Sequence, residues 1–560
     1  MVTMSKFVER SVVTVCLLAS VSAPVRAQED GVRSLAFRIL VVPAITNQYV
    51  LPDEVPAHAL SGATIKLTAC RREYESGSFV IQAVEDLKRV RLGVSDLNGG
   101  PLGVVPSSAV DLRLVKVWYQ AGTHEMIQKN TYLLTPELLL KDDSLVKVDH
   151  DKKVNILKMD KDAMRDADVL QPFDVPADTV KQCWVTVHVP ANTEAGDYRG
   201  TIRVEPAGKT PIHVPIELHV LPFELDEPNM ICSMYYKGTL GADKPACTHG
   251  KKTDEQMLVE LKDMFAHGVT NPVVYVGPNG KNPDGTYNFT DLQRVFDLRK
   301  QAGMVGGPLL MVNVSVGSPP ELQKATMDLA KKNGFTEVYF YGADEASGDT
   351  LRNERAKMKR THDVGGKTFA ASPQADSFRI VGDVQDLLVL GWPYRPSTLA
   401  RIRAYHSVGS KIMRYSNPFG GMEVPETFRR NYGFQLWKGG WDGGATYAYQ
   451  HSLGHGWDDF DADPSWPLRD LNMAYPTVNG VIPTLQWEGY REGYDDLRYV
   501  ATLENLIEKN LRLDGPAGEA ARAARLWLLL MMDPSEPDRT PDEIRARLVN
   551  KIVYLKLTGQ

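Results

Sequence analysis

Between Ile231 and Tyr449, short apolar runs alternate with stretches of helical period, and this rhythm constrains the fold more than any other feature of the chain. Strands separated by helices are joined by crossovers, so they lie parallel. Eight runs read as strands: Ile231–Tyr236, Asn271–Val276, Pro308–Val314, Glu337–Tyr341, Thr368–Ala371, Leu387–Gly391, Lys411–Tyr415 and Ala445–Tyr449. Helical stretches fill most of the gaps: Asp254–Phe265, Leu292–Ala302, Pro320–Asn333, Ser347–Asp363, Ser397–Val408 and Glu426–Tyr432. Eight such units over roughly 220 residues fit a (β/α)8 TIM barrel. A doubly wound open sheet uses the same alternation, but no glycine-rich phosphate fingerprint opens any of these helices.

The segment before the barrel has a different period. Ser34 to Pro222 is strand-rich and punctuated by Gly, Pro and Asp. Trp184–Val185–Thr186–Val187–His188–Val189 alternates strictly, the pattern of a sheet with one buried face. The region reads as an antiparallel β-sandwich. A polar insertion runs from Ala121 to Asp178, and Thr135–Pro136–Glu137 inside it looks like a helix start. After the eighth strand the chain turns helical. Trp487, Tyr490, Tyr494, Leu497 and Ala501 form one stripe, and Arg491 and Asp495 are spaced to pair. Ala520–Leu530 and Asp542–Leu555 are two further helices, the last opened by Thr540–Pro541. The expected organisation is multidomain, α/β plus β: a signal peptide at 1–27, a β-sandwich at 28–224, a catalytic barrel at 225–510 and C-terminal helices at 511–560.

Lys6 and Arg10 precede an apolar stretch from Ser11 to Val21, and Val25–Arg26–Ala27 suits a signal peptidase. The apolar run is too short to span a bilayer, so a secreted or periplasmic location after cleavage near Ala27 is expected. No later segment is apolar enough to cross a membrane. Cleavage would leave Cys70, Cys183, Cys232 and Cys247, a number that permits disulfides without requiring them. A formal net charge of −6 with no basic tract argues against nucleic acid as a partner.

Chemistry points to one strand. Glu337–Val338–Tyr339–Phe340–Tyr341 runs into Gly342–Ala343–Asp344–Glu345. In a barrel, residues following a strand stand at the C-terminal mouth, where barrel enzymes work. Two carboxyl groups held together cannot both ionise freely, so one can be kept as a general acid, as glycoside cleavage requires. The same pair could also be a solvated turn or a helix cap.

Four stretches together resemble glycoside hydrolase family 123 and its wider relatives: Arg71–Arg72–Glu73–Tyr74–Glu75–Ser76, Trp184 to Gly200, Tyr341–Gly342–Ala343–Asp344–Glu345, and Trp487 to Asp495. The resemblance implies an exported β-sandwich plus barrel protein, with β-N-acetylgalactosaminidase activity as the characterised function. It also implies a mechanism in which the sugar's own 2-acetamido oxygen attacks the anomeric carbon, gaining a large effective molarity. Family 18 and family 20 enzymes share this logic. Glu345 would then be the general acid/base and Asp344 the carboxylate that orients the acetamide N–H. An ordinary retaining glycosidase would instead place a nucleophilic Glu at the end of the seventh strand. There the sequence has Ser416, Asn417 and Pro418, with no carboxylate before Glu423.

Sugar binding needs aromatic platforms and polar groups at the same mouth. Tyr235 and Tyr236 end the first strand, where alternation turns one inward, and Tyr236 is assigned to the substrate. Trp392 and Tyr394 follow the sixth strand, Tyr415 and Asn417 end the seventh, and Trp441 and Asp442 precede the eighth in a glycine-rich stretch that suggests an exposed loop. Tyr415 is the candidate for a hydroxyl beside the acetamide carbonyl, as in similar enzymes. Trp487 and Arg491 read as packing residues outside the barrel.

His451 and His455 are four apart and followed by Asp458, Asp459, Asp461 and Asp463, but the intervening glycines indicate a loop, so no metal and no cofactor is expected. No nucleophile elbow is present. The expected partner is a glycan or glycoconjugate; oligomeric state is not specified by the sequence. The competing reading is a non-hydrolytic carbohydrate-binding or surface protein on the same fold.

Overall fold

The computed structural model describes residues 36–374, 376–391, 393–533 and 539–559. The expected signal peptide at 1–27 and Trp392 lie outside the described residues.

Two large sheets and a small hairpin, Val146–Asp149 with Val154–Leu157, make up the described N-terminal region. One is six-stranded, in the order Leu60–Ser61, Phe37–Val42, Tyr74–Ala83, Val180–His188, Val110–Gln120 and Leu133–Leu140. The other runs Phe173–Val175, Leu87–Val94, Gly196–Glu205, Ile212–Val220 and Ile65–Ala69 along its main path. Their inward side chains share one core, with Phe79, Ile81, Cys183 and Val185 from the first sheet meeting Leu67, Ile202, Val204 and Ile216 from the second.

Three expectations need correction here. The sheets are not wholly antiparallel, because Ile65–Ala69 pairs in parallel with Ile212–Val220. Thr135–Pro136–Glu137 starts no helix: it lies inside the strand Leu133–Leu140, where an apolar Leu138–Leu139–Leu140 run is buried and tertiary packing overrides the local cap signal. The alternating strand Val180–His188 is buried on both faces. Cys183 and Val185 face the shared core, while Trp184 packs with Val115, Leu139 and Leu485 on the other side.

A nine-stranded sheet that begins at Ile231 is parallel throughout. The sheet runs from Ile231–Cys232 through Gly443–Ala445, Lys411–Tyr415, Leu387–Leu390, Lys367–Ala371, Glu337–Tyr341, Pro308–Ser315 and Val273–Val274 to Tyr235–Tyr236. Its first and last members belong to one continuous segment. On one side the N–H groups of Ile231, Ser233 and Tyr235 donate to the carbonyls of Asp442, Gly444 and Thr446. On the other, the N–H groups of Asn271 and Val273 donate to Cys232 and Met234. The sheet therefore closes on itself. Helices Asp254–Ala266, Thr290–Gln301, Pro320–Lys332, Gly348–Asp363, Pro396–Ser407 and Pro425–Tyr432 occupy the crossovers.

Period-two alternation sorts the strand residues into two cores. Ile231, Tyr235, Val273, Leu310, Tyr339, Phe369, Leu387, Val389, Met413 and Ala445 fill the interior. Tyr236, Val274, Met311, Val338 and Phe340 face outward onto helices. The eighth strand begins at Gly443, two residues before the expected Ala445, because its glycines read as loop residues in sequence. A Cβ on Gly443 would stand 2.4 Å from the carbonyl oxygen of Ile231, so only glycine lets the closing strands approach.

The helices Leu485–Asn510, Pro516–Met531 and Pro541–Thr558 join this sheet to the N-terminal region. Arg491 pairs with Glu488 rather than with Asp495, which pairs with Arg498. Ser76 Oγ on the N-terminal sheet donates to Glu488, and Tyr499 OH donates to Glu73. Among the described residues Cys70, Cys183, Cys232 and Cys247 are free and buried. Among the described residues no helix is long and apolar enough to cross a membrane.

Candidate active site

Asp344 and Glu345 follow the strand Glu337–Tyr341 and are both exposed. Backbone bonds fix the turn at the C-terminal ends of the strands. Gly342 N–H donates to Phe369 O, Glu345 N–H donates to Ala371 O, and Val316 N–H donates to Tyr341 O. Glu345 adopts φ +48° and Ser416, just after the strand Lys411–Tyr415 of the same sheet, adopts φ +38°. Left-handed conformations at non-glycine residues cost on the order of 1–3 kcal/mol and concentrate at functional sites. Tyr341 OH donates to Asp344 Oδ1 at 2.6 Å, and Tyr341 packs edge-on against Phe369. Among the described residues neither carboxylate has an ion-pair partner.

Beneath the pair lies a floor of phenols. Tyr235, Tyr275, Tyr341, Tyr415 and Tyr447 are the inward residues nearest the C-terminal ends of their strands. The Tyr235 ring is 5.4 Å from that of Tyr415 and 5.6 Å from that of Tyr447. Burial first, and then the charge of Asp344, push the Tyr341 and Tyr447 hydroxyls up, Tyr447 to about 12. Burial likewise raises Tyr275 and Tyr415, with Asp344 adding to both. These phenols therefore stay protonated near neutral pH and remain hydrogen-bond donors. Tyr235 OH is buried without a partner, a polar atom available at the base of the mouth.

The structure separates the other expected contacts. Tyr415 stands in the floor as expected. Tyr236 points the opposite way: it is buried against the outer helix, and its hydroxyl donates to Glu260 Oε2 at 2.6 Å. Alternation places its neighbour Tyr235 inside instead. Asn417 is turned toward the helix Pro425–Tyr432, where Asn431 Nδ2 donates to its carbonyl at 2.9 Å. Tyr394 packs on the C-terminal helices. Trp441 is 2 % exposed in that same core, and Asp442 accepts from His406 and from the backbone of Ile412. Both residues precede a parallel strand, which puts them at its N-terminal end, opposite the mouth. Glu423 is buried in an ion pair with Arg469, 2.5 Å away, and Arg469 also holds Asp459. His455 bonds to Asp162, whereas His451 packs 4.9 Å from His249, so the two histidines do not converge. No group of side chains suited to a metal occurs among the described residues.

Sequence reasoning missed Tyr275, Tyr447 and Tyr341 as floor residues, although each is the last inward residue of a strand already recognised. A separate cavity of about 500 Å3 lies between the N-terminal sheets and the C-terminal helices. Its carboxylates Glu75, Glu492 and Asp542 are ion-paired to Arg429 and Arg545, so they are not free for chemistry.

Residues 46–206 match the glycoside hydrolase 123 N-terminal domain. By that domain the chain is similar to glycoside hydrolase family 123 in its N-terminal region. Its fold is similar to that of a family 123 glycoside hydrolase from Clostridium perfringens, with a TM-score of 0.64 at 13 % identity, covering 93 % of this chain and 100 % of that one. A Bacteroides ovatus GH5 xyloglucanase aligns more loosely, with a TM-score of 0.31 at 8 % identity over 77 % of this chain and 98 % of that one. No curated protein matches the sequence.

Proposed function

We propose that this protein is an exported β-N-acetylhexosaminidase, acting on N-acetylgalactosamine, that works by substrate-assisted retaining catalysis. The proposal reads the closed parallel sheet as a (β/α)8 barrel and the paired N-terminal sheets as a β-sandwich. The observation that carries it is the Tyr341–Asp344 hydrogen bond beside an exposed, unpaired Glu345. Tyr341 fixes one oxygen of Asp344, which leaves the other to accept the acetamide N–H. The acetamide oxygen then attacks C1 as Glu345 donates its proton to the departing glycosidic oxygen. Water next attacks C1 of the oxazolinium while Glu345 takes back a proton, and the β configuration is retained. Glu423, the first carboxylate after the seventh strand, is held by Arg469, so the alternative of a separate protein nucleophile there has no support. The Clostridium perfringens protein acts in glycolipid glycan hydrolysis, and a glycoconjugate substrate is proposed here as well.

The test compares aryl β-N-acetylgalactosaminide, the corresponding glucosaminide and aryl β-galactoside. Release is expected from acetamido sugars alone. Comparable turnover of the plain galactoside would overturn substrate assistance. Glu345→Gln should lose most activity on poor leaving groups and less on activated ones, whereas Asp344→Asn should slow both. No turnover of any of them would favour the non-hydrolytic reading.

A further inference from the structure

Lys237 follows the first strand of the closed sheet and so stands at the same end as Asp344 and Glu345. It is half-buried, yet among the described residues it makes no hydrogen bond or ion pair. Its Nζ lies 6.0 Å from the ring centroid of Tyr447. A desolvated ammonium without a carboxylate is costly unless something else meets it. Two histidines complete the cluster. His451 packs 5.2 Å from Tyr447 and 4.9 Å from His249.

Both rings are neutral at ordinary pH. Burial, then Lys237, pushes His249 down to about 4 and His451 to about 3. Ser452 N–H donates to His249 Nδ1 at 3.4 Å, so the neutral ring carries its proton on Nε2. That leaves one uncommitted N–H donor. His451 is 5 % exposed and its Nδ1 is buried with no partner. Lys237 and His451 thus both lie against the Tyr447 ring, and His249 packs on His451. Tyr447 also feels the charge of Asp344.

We propose that Lys237, His249 and His451 form an anion subsite that accepts a sulfate ester or carboxylate on the glycan, next to the sugar held at Asp344 and Glu345. This deepens the glycosidase reading and rests on it for the position of the sugar. The subsite answers an electrostatic need: the Asp344 carboxylate at the mouth repels an anionic glycan, and Lys237 is a charge that offsets it. His249 adds a directional hydrogen bond to the anion's oxygens through its Nε2 proton, with His451 packed behind it, and neither ring adds a titrating charge.

The test is calorimetric binding at low salt to the Glu345→Gln protein, so that turnover does not intervene. The probes are methyl β-N-acetylgalactosaminide, its 4-sulfate and 6-sulfate, and a disaccharide joining β-N-acetylgalactosamine to glucuronic acid. At least one anionic probe should bind ten-fold or more tightly than the neutral sugar, and the preference should shrink with added salt. The sulfated and uronate arms separate the two sources of anion. Lys237→Met in this background should abolish the preference, and Lys237→Arg should retain most of it. Equal affinity for anionic and neutral probes, no binding of any probe, or a preference that survives Lys237→Met overturns the subsite. Neutral sugar bound without preference leaves the hydrolase reading standing. An anion preference in a protein that cleaves no aryl acetamido sugar removes the hydrolase reading and leaves the subsite.

Discussion

Tyr341 and Asp344 are three residues apart, and the phenol of the first donates to Oδ1 of the second at 2.6 Å. The strand ends at Tyr341, so the tyrosine is held by the sheet while the aspartate stands on the turn above it. A rigid element therefore sets the rotamer of a side chain on a loop. Tyr341→Phe removes that bond and little else. A hydrogen bond to a charged group contributes about 1.5–3 kcal/mol. If that bond matters only when Asp344 engages the acetamide, kcat should fall roughly 10- to 100-fold with a smaller change in KM. Steady-state kinetics on aryl β-N-acetylgalactosaminide checks this; an unchanged kcat would remove Tyr341 from the machinery.

Gly443 and Ile231 mark the seam where the parallel sheet closes. Gly443→Ala forces a methyl group to 2.4 Å from a backbone oxygen, which no side-chain rotation relieves. The expected loss is about 1–3 kcal/mol, the usual penalty for overpacking, read as a lower denaturant midpoint with an unchanged slope.

That seam also shows where the sequence stops being readable. The six long crossover helices and seven strands announce themselves by period, because their buried faces are continuous. The eighth strand does not, since Gly443 and Gly444 carry no side chains to display a pattern. Trp441 and Asp442 precede that strand whichever residue begins it, and the glycines around them suggested an exposed loop although the N-terminal end of a parallel strand lies opposite the mouth. Tyr236 was assigned in place of Tyr235 because strand parity depends on which face meets the helices, and one residue of slip inverts it. Asp344 and Glu345 were legible because chemistry and strand end coincide in nine consecutive residues. Lys237, His249 and His451 were not legible as a group, since only the closed sheet brings residues some two hundred positions apart to one ring.

Arg545 ties the C-terminal helix to two other elements. Its guanidinium meets Asp496 at 2.7 Å and Glu492 at 2.8 Å on the helix Leu485–Asn510, and Glu75 at 3.3 Å on an N-terminal strand. Arg545→Met leaves buried carboxylates short of a cation, a change that costs about 3–5 kcal/mol. Burial, then the neighbouring Glu492, raises Glu75 well above its ordinary value even with Arg545 present. Without the arginine these groups take up protons more readily. The penalty should therefore be smaller at pH 5 than at pH 8, as urea titrations at both values would record. An equal penalty at both would mean that packing, rather than charge, sets the loss.

His249 and His451 make stability fall in acid. Their folded-state values, about 4 and about 3, lie below the 6.5 of a free imidazole. Above 6.5 both states hold neutral rings, and the folded protein keeps its full stability. As pH falls below 6.5 the unfolded chain takes up protons that the folded chain refuses, so stability declines until the folded rings themselves protonate. Each ring adds a slope of at most about 1.4 kcal/mol per pH unit within that window. Replacing His451 with Gln removes one proton from the difference. Denaturant unfolding measured from pH 7 to pH 4 should show a shallower decline for His451→Gln than for the parent protein, and parallel curves would show that His451 titrates in the folded state as it does in the unfolded chain.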